Sequence, residues 1–128
     1  MRRIMGLGVI GLLAVMLLST GCAWFGGGAK QVTGTVDVFI APSPDEKPRH
    51  GVVKVTGYPT VLQVTSQVAG VTVEENDKGE EWPVSIGGIH QNIGAGHIWR
   101  YEVNNGFPIA APNLKHVGPG DVIVWRLQ

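Results

Sequence analysis

From Val32 the chain alternates. Val32, Gly34, Val36, Val38 and Ile40 fall on one face, and Thr33, Thr35 and Asp37 on the other, which is the period of a half-buried strand. Pro42, Pro44 and Pro48 break the pattern between Ala41 and His50. A second strand is expected from Gly51 to Thr56, before a Gly57-Tyr58-Pro59 turn. Thr60 is placed to cap a helix with Val61, Leu62, Thr65, Val68 and Ala69 on its apolar face and Gly70 at its end. The β-branched residues keep a strand over 61–65 as the rival. Val71 and Val73 mark a short strand, Glu74 to Glu81 an acidic loop, and Trp82, Val84 and Ile86 a returning strand. After a glycine-rich passage from Gly87 to Gly96, Trp99, Tyr101 and Val103 alternate against Ile98, Arg100 and Glu102 up to an Asn104-Asn105-Gly106 turn. Gly118-Pro119-Gly120-Asp121 forms another turn, and a last strand runs from Val122 to Leu127 with Ile123, Trp125 and Leu127 on one face. The pattern predicts an α+β fold, mostly strand, in which one helix covers a small sheet. Val36, Val38, Leu62, Val68, Tyr101 and Ile123 are its expected core.

Residues 1–31 follow a different rule. A basic start (Met1, Arg2, Arg3) leads into an apolar run from Ile4 to Leu18, then Ser19-Thr20-Gly21-Cys22. That order is the order of a secretory signal. The apolar run is short for a helix crossing a hydrocarbon layer about 30 Å thick. The segment Leu17-Leu18-Ser19-Thr20-Gly21-Cys22 resembles the lipobox of bacterial lipoproteins, with Ser19 where leucine is usual. The resemblance implies cleavage after residue 21 and a diacylglycerol on Cys22, the only cysteine of the chain. A lone exported thiol would otherwise be a reactive liability. Two or more acyl chains hold a protein stably on a bilayer, so the expected partner of Cys22 is membrane lipid. The expected location is lipid-anchored and extracytoplasmic, on the outer membrane if the cell is Gram-negative. Residues 22–31, with three successive glycines at 26–28, read as a flexible tether, and 32–128 as the domain.

Charge narrows the partners. Removing Arg2 and Arg3 with the signal leaves 8 of 10 basic side chains against 10 acidic ones. No basic stripe remains for nucleic acid.

Three pieces carry a second resemblance: Thr60-Val61-Leu62 at a helix start, Ile98-Trp99-Arg100-Tyr101-Glu102-Val103-Asn104-Asn105-Gly106, and Gly120-Asp121-Val122-Ile123-Val124-Trp125. Together they resemble the C-terminal domain of the vitamin B12 carriers transcobalamin and intrinsic factor, a module that recurs in bacterial surface proteins. The likeness covers roughly Val32 to Gln128. It implies a β-grasp-like fold, a small mixed sheet packed on one short helix, with relatives that bind cobalamin or associate with polysaccharides. The extra Asn105 and the Gly- and His-rich passage before Ile98 depart from the family pattern. The helical domain that completes the corrinoid site in the carriers has no counterpart here.

Candidate chemistry is sparse. His90, His97 and His116 match no short metal motif and have no cysteine to assist them, so no metal and no cofactor is expected. His50 is expected in solvent within the proline loop. The acidic loop lacks the alternating ligands of a calcium loop and reads as a solvated hairpin tip. No nucleophile elbow occurs, and Asp121 is better placed to bond its own turn than to act with His116. The chain is therefore expected not to be an enzyme. The glycine-rich passage allows close backbone approach, and Gln91, Asn92, His97, Trp99, Tyr101 and Trp125 are the candidate ligand or partner residues; packing in the core is the competing reading for Trp99 and Trp125. The leading expectation is a binding module for an envelope protein or glycan, with an exposed strand edge as one means of pairing. The alternatives are a module for a corrinoid or another small molecule, marked by a concave apolar pocket around Trp99, Tyr101 or Trp125, and a self-associating structural subunit.

Overall fold

The computed structural model describes residues 32–128, so the expected signal, Cys22 and the tether lie outside the described residues. Seven strands and one short helix follow in order: β1 (Thr33–Ala41), β2 (Arg49–Thr56), α1 (Val61–Thr65), β3 (Val71–Glu75), β4 (Glu81–Ile86), β5 (Ile89–His90), β6 (Trp99–Val103) and β7 (Val122–Leu127). A four-stranded sheet has the order β2-β1-β7-β6. Its central pair is parallel, with Asp37 opposite Val122 and Ile40 opposite Trp125, and both flanking pairs are antiparallel. This is the mixed, β-grasp-like α+β arrangement that the resemblance implied. A second, antiparallel sheet of β3, β4 and β5 accompanies it.

The alternation read in β1 is the one that packs. Val36, Val38 and Ile40 are buried, and from β7 Ile123 and Trp125 join them. Trp99 and Tyr101 add the inward face of β6, and Val61 and Val64 close the core from α1. Of the expected core, only Val68 is partly buried; it packs against the rest.

Helix α1 forms but is shorter than the ten or so residues expected. Its start is a capping box: Thr60 Oγ1 accepts from the Gln63 N–H at 3.2 Å, and Gln63 Oε1 accepts from the Thr60 N–H at 2.9 Å, satisfying two donors that a helix leaves unpaired. Its end is also written locally. The Thr65 and Ser66 hydroxyls donate to the carbonyls of Val61 and Leu62, competing for the acceptors of the helical ladder. Beyond Ser66 the bonds tighten to Val64 and Thr65, and the chain leaves in turns well before Gly70.

The β3–β4 hairpin matches the expected strands on either side of the acidic loop. Asn76 Oδ1 accepts from the N–H groups of Lys78 and Glu80, and its Nδ2 donates to the Glu80 carboxylate, so the tip is closed by its own side chains. Within β4 the expected alternation is displaced. Pro83 and Ser85 turn inward with Ile86, while Trp82 faces outward, and the pairing of β3 with β4 shifts register between Thr72 and Val73. One residue of slip sends side chains to the opposite face.

His50 is not in the proline loop. It lies in β2, stacked on Phe39 with ring centroids 4.3 Å apart, and its Nε2 is 2.9 Å from Asp37 Oδ1.

Candidate functional site

The candidate residues separate into two places. Trp125 is fully buried, and its indole N–H donates to Thr65 Oγ1 at 2.8 Å. Nothing can stack on it, because its ring meets Tyr101 at 5.1 Å inside the core. Trp99 is likewise buried, its indole N–H donating to the Ile89 carbonyl at 3.0 Å. Tyr101 donates its hydroxyl to the Ala110 carbonyl, and burial pushes its phenol up to about 12. These three aromatic rings are core members, and Trp99 and Tyr101 come nearest to the surface at the outer side of β6.

Gln91, Asn92 and His97 belong to the connection between β5 and β6. Asn92 and His97 exchange two backbone hydrogen bonds of 2.8 and 2.9 Å. Asn92 Oδ1 caps the single 3-10 turn Ile93–Ala95 through the Ala95 N–H, and Gln91 donates its N–H to the Val84 carbonyl. The loop is thus closed by the residues suspected of binding. The histidines remain apart: His116 Nδ1 donates to the Tyr58 carbonyl at 2.7 Å. Among the described residues no three His, Cys, Asp or Glu side chains gather to hold a metal.

An apolar concave surface lies beside β6. A groove of about 340 Å³ is lined by Trp82, Ile98, Trp99, Arg100, Tyr101, Phe107 and Pro108. Phe107 is 69% exposed, and Trp82 and Ile98 are 36% exposed. These are large apolar side chains that a small domain usually covers. β6 and the segment after its turn supply one wall. Asn104 and Asn105 take φ of 52° and 68°, the left-handed pair that a tight two-residue hairpin needs, and Val103 and Gly106 exchange both backbone bonds across it. The turn is anchored to β7, because Asn104 Nδ2 donates to Asp121 Oδ1 and its Oδ1 accepts the Val122 N–H, each at 2.9 Å. Asp121 Oδ2 in turn accepts from the Gly118 N–H, the turn bond expected of it. β4 supplies the opposite wall through Trp82.

Trp82, Ile98, Arg100, Phe107 and Pro108 were not singled out from the sequence as site residues. The available signal was a proline within β4, which defeats simple alternation, and the apolar Phe107-Pro108-Ile109 run directly after a turn.

Comparison with known structures finds the same fold in unrelated contexts. A candidate metal-binding protein from Ruminococcus gnavus ATCC 29149 superposes with a TM-score of 0.61 at 12% identity, over 74% of this chain and 96% of that one. Haptocorrin, solved in complex with Cbi, superposes with a TM-score of 0.62 at 18% identity, over 76% of this chain and 26% of that one. This chain thus spans about a quarter of haptocorrin, and the likeness in both cases is one of fold. No curated protein matches the sequence. Residues 59–128, from the turn before α1 to the end of β7, match a family described as "Domain of unknown function (DUF4430)", and the chain belongs to that family.

Proposed function

We propose that the domain is a non-enzymatic small-molecule binding module, held extracytoplasmically on a membrane by lipid on Cys22, and that the groove beside β6 is its ligand site. The observation that carries the reading is the groove itself, in which exposed Trp82, Ile98 and Phe107 stand over Trp99 and Tyr101. Its volume of about 340 Å³ is at the small end of the range for ligand pockets. The fold shared with haptocorrin, solved with Cbi, supports a small-molecule ligand. A corrinoid would be gripped only along one side by a groove of this size. A metal ligand has less support, since no donor cluster forms among the described residues.

The deciding experiment is extraction of small molecules from the natively lipidated protein, purified gently from its own membranes. A stoichiometric organic ligand is expected from the wild type and is expected to be lost from Trp82→Ala/Phe107→Ala. Recovery of a protein or glycan alone would overturn the reading. One observation favours that second, macromolecular alternative: Ile109, two residues beyond Phe107, is 99% exposed, as a docking loop would present it.

A further inference from the structure

The groove is apolar along its walls but not uncharged. Arg100 is the one ionic residue that lines it. On the pleat Arg100 stands directly opposite Arg126 of β7, and like charges in that relation repel. Only one member of the pair is relieved: Arg126 Nε lies 3.3 Å from Glu102 Oε1. Arg100 forms no ion pair among the described residues, and no Asp or Glu lines the groove. A cation is therefore left uncompensated beside a second cation at the mouth of an aromatic slot.

The backbone of β6 adds donors. Ile98 and Gln128 exchange both their bonds, and the Asn104 N–H reaches the Val122 carbonyl, so the even-numbered residues face β7. By the alternation of an antiparallel ladder, the N–H groups of Trp99 and Tyr101 point away from β7, to the groove side. Val103 spends its pair on Gly106, whereas Trp99 and Tyr101 have no backbone partner on that side among the described residues. The Tyr101 hydroxyl already donates to Ala110 and is not available to a ligand.

We infer that the ligand of this groove is a planar apolar molecule bearing a carboxylate, its ring held by Trp82 and Phe107 and its carboxylate paired with the Arg100 guanidinium. The flat guanidinium suits the two oxygens of a carboxylate, and an exposed aromatic pair suits a flat body. The inference rests on the groove being the ligand site and adds the charge of what enters it.

Calorimetric titration of the full mature protein in detergent with 2-naphthoate and with neutral 2-naphthamide separates the two claims. The acid is expected to bind wild type about tenfold or more tightly than the amide, as a charge-assisted pair requires. Arg100→Gln should erase that difference by weakening the acid far more than the amide, while Trp82→Ala should weaken both probes. Arg100 is exposed, and the variant's unfolding temperature should be equal to or above that of wild type, because the repulsion with Arg126 is removed. Equal affinities in wild type, or a preference for the acid that survives in Arg100→Gln, would overturn the inference while leaving the groove as a site. Binding of neither probe also overturns it, and the extract from native membranes then decides independently whether the groove reading falls as well.

Discussion

The hydroxyl of Thr65 is fully buried and has two partners. It donates to the Val61 carbonyl and accepts from the Trp125 indole, both at 2.8 Å. Thr65→Val keeps the shape and strands the indole N–H, a loss of about 1–3 kcal/mol for a buried group without a partner. Thermal unfolding should therefore come at lower temperature, and a variant as stable as wild type would mean that the indole finds another acceptor. Tyr101 makes a pH prediction. Its neutral form is favoured in the folded protein, with the phenol raised from 10.0 to about 12, so between those values the unfolded chain releases a proton that the folded one keeps. Stability from this group is complete below pH 10 and declines as pH rises through about 12. Denaturant titrations should show that decline in wild type and a smaller one in Tyr101→Phe.

At the scale of elements, the helix is only five residues long, too short to persist by propensity alone. Its cap and its contact with the sheet must hold it. Thr60→Ala is expected to cost about 1 kcal/mol, measurable as a lower denaturation midpoint. The sequence made β1, β6 and β7 legible, because each buries one face and exposes the other, and alternation is then the dominant constraint. The cap was visible as Thr60 before an apolar run, but its reciprocal bond from Gln63 was not read, and the early stop at Ser66 depended on hydroxyls folding back on the helix, which periodicity does not register. The site was less legible for a related reason. Trp99, Tyr101 and Trp125 attract notice as aromatic residues, yet their alternation already assigns them inward. The wall residue Trp82 shares its parity with buried Ile86 and faces outward only because the β3–β4 pairing slips at Thr72/Val73. A register shift is a property of two strands together, and neither strand shows it alone.

For the whole molecule, the proposed anchoring makes a direct prediction. Intact-mass measurement should find the mature chain beginning at Cys22 with acyl chains attached, and Cys22→Ser should move the protein from the membrane to the soluble fraction. Residues 1–21 retained on the wild type, or a bare thiol, would remove the anchor from the proposal. The sheet order sets a further condition on such a route. β7 stands between β1 and β6, so β6 has no inner neighbour until β7 joins β1, whereas β2 pairs with β1 directly. Contacts of that sequence separation form slowly, and a chain halted before Val122 has nothing to complete the sheet. On the proposed export route, a chain that had not yet delivered Val122–Leu127 would lack the strand that joins β1 to β6.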